Sequence, residues 1–126
     1  LGARFRAGCY YGGAASDASQ GVSTDAQGNI FFSATTESAN IPLTVPGGVG
    51  GGEDVVAVKL SSDATRLMFG QRFGGSGDDV ARASWFGPLN QFVLVGQTDS
   101  PNFPLLNAPF TRIGGSLDAF VVRLIP

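Results

Sequence analysis

The feature that most constrains the fold of this chain is an internal repeat. The stretch RLMFGQRFGGSGDD at residues 66–79 has a counterpart, ARFRAGCYYGGAASD, at residues 3–17, and the two align at a shift of 62 residues. Farther along, DVVAVKL at 54–60 matches DAFVVRL at 118–124 at a shift of 64, so the second copy has a longer loop before this segment. A chain that keeps its apolar segments and varies its loop lengths is typical of a modular array, in which neighbouring units bury one another's faces.

The pattern of residues in each copy predicts four short strands and no helix. The predicted strands are 3–13, 20–24, 30–35 and 54–60 in the first copy, and a strand within 66–79 followed by 80–86, 91–97 and 118–124 in the second. Residues 25–29 are predicted as a hairpin connection, in which Gly28 or Asn29 can take a positive φ. Four short antiparallel strands recurring at a fixed period form the blade of a β-propeller. The fold class is therefore predicted as all-β, a propeller segment of two repeats, about 3–64 and about 65–126, that forms an incomplete ring on its own.

Four motifs, in a specific order, make the chain resemble a known family. They are FGGSGDD at 73–79, GNIFFS at 28–33, TDSPNFP at 98–104 and DAFVVRL at 118–124. Together they resemble the SBBP family, the bacterial seven-bladed β-propeller repeat. The resemblance implies a secreted or cell-surface bacterial or archaeal propeller, and it brings no agreed catalytic chemistry with it.

Composition argues against several classes of function. The net charge of −2 and the absence of a basic run argue against nucleic-acid binding, because neutralising phosphates needs clustered Lys or Arg. No stretch approaches the ~18 apolar residues of a membrane-spanning helix. Cys9 is the single cysteine and there is no histidine, so neither a usual zinc set nor a Ser-His-Asp triad is expected. We therefore expect a protein that is not an enzyme and has no required cofactor.

Asp78 and Asp79 are the calcium candidates, because adjacent carboxylates after a glycine turn supply oxygen ligands. Only Asp79 recurs, as Asp17, and a repeated Asp after a Gly-rich turn most simply accepts hydrogen bonds from turn amides. We favour this structural interpretation and leave calcium as the alternative. Asp54 and Asp118, which open equivalent strands, are interpreted in the same way.

The long loops 36–53 and 98–117 occupy the same place in each copy and are predicted to emerge on one side, where partners of repeat proteins often bind. The candidate partner-binding residues in these loops are Leu43, Leu105, Leu106 and Phe110. The recurring Ile41-Pro42 and Phe103-Pro104 pairs are expected to tuck back as plugs. Trp85, the sole tryptophan, is expected in the core rather than on a partner surface.

These observations favour a non-catalytic extracellular or cell-surface module with a structural or protein-interaction role. Its partners would be other blades of the same longer chain or identical subunits. The alternative is a lectin-like propeller that binds carbohydrate and is built by oligomerisation of two-repeat chains. A propeller enzyme acting on glycans with carboxylates alone is the third hypothesis.

Overall fold

A computed structural model describes residues 2–48 and 50–126, so residue 49 of the predicted loop 36–53 lies outside the described residues. The protein is all-β, as predicted. The strands are β1 Asp17–Thr24, β2 Ile30–Thr36, β3 Asp54–Leu60, β4 Leu67–Phe73, β5 Asp79–Gly87, β6 Gln91–Thr98 and β7 Asp118–Leu124. The only helical segment in the described ranges is a 3₁₀ turn, Pro88–Asn90, and no helix there is long and apolar enough to span a membrane.

The strands form two antiparallel sheets whose order follows the chain. The first sheet has the order β1-β2-β3-β4, and the second has the order β5-β6-β7. Thr36 lies opposite Asp54 in the first sheet, and Thr98 lies opposite Asp118 in the second. Both first strands carry a register shift near the middle, between Gln20 and Val22 in β1 and between Ala81 and Ala83 in β5.

The hairpin between β1 and β2 follows from its turn residues. Asp25 accepts hydrogen bonds from the backbone N–H groups of Gln27 and Asn29 at 3.0 and 2.8 Å. Gly28 adopts a φ of +80°, a conformation that costs glycine little and a side-chain-bearing residue much more. The sequence predicted this hairpin correctly, because the turn chemistry is local.

The main core lies between the two sheets. In strands, alternate side chains point to opposite faces, so Phe31, Val55 and Ala57 of the first sheet lie on one face. They pack against the face of the second sheet that carries Phe92 and Leu94. The rings of Phe31 and Phe86 stack at a centroid distance of 4.0 Å across this interface. A second apolar cluster, with Val56 and Val58 at its centre, lies on the other face of the first sheet.

The predicted strand at 3–13 is wrong. Residues 2–13 have no strand pairing, and Phe5 and Tyr10 are 92% and 106% exposed. A strand needs a neighbour for its backbone N–H and C=O groups, and the described part of the chain supplies none at this place. The prediction of four strands per repeat therefore fails for the first repeat, which has three strands, whereas the second repeat has four, of which β4 pairs with β3 in the first sheet.

The expectation about the tryptophan is also wrong. Trp85 was expected in the core, but it is 56% exposed because it lies on the face of β5 that points away from the first sheet. The Lys59 side chain, by contrast, is largely buried. Its ammonium lies 3.5 Å from the Asp25 carboxylate and 4.9 Å from the centroid of the Phe31 ring. The expected plugs Ile41 and Phe103 are buried, as predicted.

Candidate functional site

A network of polar side chains organises the turn that precedes β1. The Oδ2 atom of Asp17 accepts hydrogen bonds from the Gly13 N–H at 2.8 Å and from the Ser38 hydroxyl at 2.9 Å. The Thr36 hydroxyl donates to Oδ1 at 2.5 Å. Asn40 accepts from the Ala14 N–H at 2.8 Å, which ties the turn to the loop after β2. The turn is thus held by groups from the start of β1, from the end of β2 and from the loop after β2.

Most of this network recurs 62 residues later, before β5. Asp79, which is fully buried, accepts from the Gly75 N–H at 2.7 Å and from the Ser100 hydroxyl at 2.8 Å. Asn102 accepts from the Ser76 N–H at 2.8 Å. The role of turn acceptor that the sequence predicted for Asp79 is therefore what its contacts show, and its calcium role stays a prediction.

Asp78, the other calcium candidate, lies in a different environment. It is exposed, and its Oδ1 accepts from the Glu53 N–H at 3.1 Å. Its own N–H donates to the Asp99 carboxylate at 2.6 Å. No group of three or more His, Cys, Asp or Glu side chains that could hold a metal ion occurs in the described ranges.

Gly74 is required because two carboxylates approach its backbone. A Cβ at this position would lie 1.8 Å from Oδ1 of Asp54 and 3.0 Å from Oδ2 of Asp79. The equivalent Gly12 has the same constraint, since its Cβ would lie 2.6 Å from Oδ2 of Asp17. The recurring Gly-Gly pairs therefore leave room for the acids that cap the turns.

Asp54 and Asp79 belong to a buried charged cluster with Arg72 at the junction of the two sheets. The Arg72 guanidinium lies 3.6 Å from the Asp54 carboxylate and also donates to the backbone carbonyl of Ser38. Oδ1 of each aspartate and Nε of Arg72 are buried and have no hydrogen-bond partner among the described residues. The expectation that Asp54 is a simple turn acceptor misses this ion pair.

The acids of the two environments differ in pKa. Burial raises the pKa of Asp54 to about 6, and the charge of Asp79 adds to this effect against the opposing charge of Arg72. Burial acts in the same direction on Asp17, but the hydrogen bonds from Thr36, Gly13 and Ser38 outweigh it and lower the pKa of that carboxyl below 3.8. A carboxylate that accepts several hydrogen bonds stays ionised, whereas a poorly solvated one binds a proton more readily.

Asp118, the counterpart of Asp54, caps a turn as predicted, because its Oδ2 accepts from the Gly114 N–H. It also lines a cavity of about 630 Å³ between β7 and the loop that precedes it. The lining includes Ala119, Phe120 and Val121, consecutive residues whose side chains alternate between the two faces of the sheet. The cavity therefore extends along the free edge of β7.

The predicted partner-binding residues are distributed between this cavity and the solvent. Leu105 and Phe110 line the cavity and are largely exposed. Leu106 is exposed outside its lining, and Leu43 is partly buried against the cluster that contains Ile41. Of the four predicted residues, the three in the second loop are exposed, whereas Leu43 of the first loop is partly buried.

Trp85 borders a shallow cleft of about 370 Å³ between two hairpin turns. Polar side chains from both turns, Asp25, Gln27 and Asn90, lie around the same cleft. An exposed indole can stack on the apolar face of a sugar, and the exposed amide side chains of Gln27 and Asn90 beside it can bond to the sugar hydroxyls. This site was not predicted from the sequence, because Trp85 was expected in the core.

Arg72 is the residue of the charged cluster for which the sequence held the least signal. Its counterpart in the first copy is Tyr10, so the repeat does not mark the position. The ion pair depends on the packing of β3 beside β4, where Val56 lies opposite Arg72.

Comparisons with protein-family models, with curated proteins and with solved structures found no significant match to this chain.

Proposed function

We propose that the protein is a non-catalytic β-propeller repeat module with a structural or protein-interaction role, extracellular or on the cell surface. The observation that supports it most is that the inner face of the second sheet corresponds in sequence to the outer face of the first sheet. The second sheet packs on the first through Phe92 and Leu94, whose counterparts at a shift of 62 are Ile30 and Phe32. Those counterparts lie on the opposite face of the first sheet. Each sheet would therefore offer the next one the same surface, and head-to-tail stacking of this kind builds rings and arrays.

Both outer surfaces are suited to further stacking. The outer face of the second sheet carries Val95 and Val121, which are exposed apolar side chains. The outer face of the first sheet carries Phe32, which borders an open cavity of about 420 Å³. Exposed apolar patches of this sort mark interaction surfaces in soluble proteins. The buried acids support a structural role rather than catalysis, because Asp79 is bonded to turn groups and Asp54 is paired with Arg72.

The test is the mass of the native particle in solution as a function of concentration, measured by light scattering. We expect the 126-residue chain to form a particle of two or more copies, each with a mass of 12.9 kDa. Val95→Asp should shift it to the monomer, because a charge on the outer face of the second sheet loses its hydration on stacking. Gln27→Asp, at an exposed turn position, is the matched control. A wild-type monomer at all concentrations would contradict the stacking role.

The cleft at Trp85 favours carbohydrate binding as a second candidate. An exposed tryptophan with exposed amide neighbours has the composition of a sugar-stacking site. A glycan array followed by calorimetry tests it. Binding that Trp85→Ala removes, while the particle mass stays unchanged, would support the lectin-like function; no binding by the wild type would exclude it.

A further inference from the structure

The free edge of β7 is the counterpart of an edge that the first sheet has already covered. β7 corresponds to β3, and β3 pairs along its other side with β4, from Val55 opposite Phe73 to Leu60 opposite Leu67. In the described ranges β7 pairs only with β6. An uncovered strand edge presents a row of unpaired N–H and C=O groups, which is a template for another strand.

The cavity beside β7 has the location that β4 occupies in the first sheet. There, β4 lies between β3 and the loop after β2. The Thr44 and Val45 N–H groups donate to the Gly70 carbonyl at 2.9 and 3.0 Å, and the Gly70 N–H donates to the Thr44 hydroxyl at 2.9 Å. Val45 also forms a parallel bridge with Gln71. In the second sheet, the loop and β7 enclose about 630 Å³ with no strand between them.

The segment that would fit this cavity is present at the N-terminus. Residues 4–11 are the sequence counterpart of residues 66–73, which include β4, yet they are exposed and unpaired up to residue 10. The same chain cannot place them there. The Tyr11 hydroxyl donates to the Pro42 carbonyl at 2.5 Å and its ring packs on Phe32, at the outer face of the first sheet. The second sheet lies against the opposite face.

We propose that residues 4–11 of one copy of this chain pair antiparallel with β7 of a second copy and fill the cavity beneath its loop. The inference rests on the proposed head-to-tail stacking and adds to it an exchanged strand that completes the second sheet. We call this intermolecular pairing of residues 4–11 with β7 the joint. With the joint formed, the second sheet has the same order of strands as the first sheet, and the free edge of β7 is covered. The occupant of the cavity is the chain's own segment, and Leu105 and Phe110 are the loop side chains that contact it.

The register follows from the pairing of β3 with β4. Ala57 lies opposite Gln71 in the first sheet, so Val121 of one copy lies opposite Cys9 of the next. Directly opposed residues in an antiparallel pair have Cβ atoms about 4.5–5.5 Å apart, close to the separation that a disulfide spans. The single native cysteine, which is exposed, therefore reports the joint without any change in the segment.

Gly8 provides a second, steric test of the joint. Its counterpart Gly70 passes so close to the loop that a Cβ there would lie 3.2 Å from the Pro42 carbonyl oxygen. In the isolated chain a Cβ at Gly8 meets only the end of the flexible Phe5 side chain. A bulky residue at position 8 should thus leave the fold intact and block the exchanged strand.

The decisive experiment is cross-linking of Val121→Cys in the full 126-residue chain, with oxidised glutathione as the oxidant. We expect a reducible ladder of covalent multimers on a non-reducing gel. Val22→Cys is the matched control, because Val22 also lies in a strand and both valines are 70% exposed. It should give at least 10-fold less linked product. Adding Cys9→Ser to Val121→Cys should abolish the ladder and leave at most a dimer.

The outcomes separate the two proposals. Particles that are multimeric by mass, with no more linkage in Val121→Cys than in Val22→Cys, overturn the exchanged strand and leave the stacking role intact. A wild-type monomer overturns both. Gly8→Val should lower the multimer fraction at least 10-fold with an unchanged circular dichroism spectrum, whereas Gly2→Val, at a position with open space around it, should not. Equal multimer fractions in the two glycine variants would count against the joint.

Discussion

At the scale of single residues, the recurring aspartates show how one residue type takes two roles according to its surroundings. Asp17 and Asp79 each accept hydrogen bonds that close a turn. At Asp17 these bonds outweigh burial and lower the pKa of the carboxyl. Asp54 is as buried as Asp79 but has only Arg72 as a charged partner, and burial raises its pKa to about 6. Local donors thus decide whether the pKa of a buried carboxyl group is lowered by hydrogen bonds or raised by burial.

Replacing Asp79 by alanine tests the turn-acceptor role against the calcium role. We expect Asp79→Ala to lower the free energy of unfolding by about 2 kcal/mol or more, because the Gly75 N–H and the Ser100 hydroxyl lose a buried acceptor. The exposed Asp78→Ala is the matched control and should cost no more than about 1 kcal/mol. Urea unfolding with calcium or with chelator measures both effects. A wild-type stability that rises with calcium, and fails to do so in either variant, would favour a metal site instead.

The raised pKa of Asp54 predicts a pH dependence with a definite sign. Its pKa is about 6 in the folded protein against 3.8 ordinarily, so protonation favours the folded state. This contribution is fully present below about pH 4 and is lost as the pH rises through about 6. Compared with Asp54→Asn, which does not titrate, the wild type should lose about 1–3 kcal/mol of unfolding free energy between about pH 4 and 7.

The comparison with Asp54→Asn removes the opposite trends of Asp17 and Asp63, whose lowered pKa values affect both proteins alike. Chemical unfolding of the two proteins at several pH values gives the difference directly. A constant difference across this range would show that the Asp54 carboxyl keeps an ordinary pKa.

At the scale of elements, equivalent strands of the two sheets reach the same pairing with different side chains. Gly96 in β6 corresponds to Ala34 in β2, and Phe120 in β7 corresponds to Val56 in β3. Gly96 lies opposite both Ala81 and Phe120. A Cβ at Gly96 would lie 2.6 Å from the Phe120 ring and 2.0 Å from the Val80 carbonyl oxygen. The larger ring and the missing side chain therefore compensate for each other.

Gly96→Ala should destabilise the protein by about 1–3 kcal/mol, because it overpacks the space that the Phe120 ring fills. Adding Phe120→Val, the residue type of the first sheet, should recover at least about 0.5 kcal/mol relative to the sum of the single changes. A double-mutant cycle by urea unfolding measures the coupling. Strict additivity would show that the Val80 carbonyl, rather than the ring, limits this position.

At the scale of the whole molecule, the two sheets are joined by both apolar and polar contacts. Phe31 of the first sheet contacts Phe86 and Phe92 of the second, with ring centroids 4.0 and 5.5 Å away. The Ala81 N–H donates to the Thr35 hydroxyl at 3.0 Å, and this bond is buried. Because these contacts cross the interface, we expect the sheets to unfold as one cooperative unit.

Phe31→Leu tests that cooperativity. It should lower the free energy of unfolding by about 1–3 kcal/mol, because a fully buried ring is replaced by a smaller side chain. Native-state hydrogen exchange should then show the same loss of protection in β2 and in β6. Phe5→Leu, at a side chain that is 92% exposed, is the control and should change stability by less than about 0.5 kcal/mol. A loss confined to the first sheet would mean that the sheets unfold independently.

The sequence by itself determined the elements whose causes are local. The recurring apolar segments DVVAVKL and DAFVVRL predicted β3 and β7 with their observed bounds. Turn chemistry predicted the hairpin at Asp25 and the capping role of Asp79, because an acid, a glycine and the amides they serve lie within a few residues.

Only the tertiary structure decided the features that depend on a neighbour distant in the chain. Residues 3–13 have the composition of β4, but they form no strand because no strand lies beside them. Arg72 meets Asp54 only after β4 pairs with β3, and Trp85 is exposed only because β5 turns that face away from the first sheet. Local propensity sets which segments can pair, whereas the identity of the neighbour sets which of them do so and which surfaces stay open.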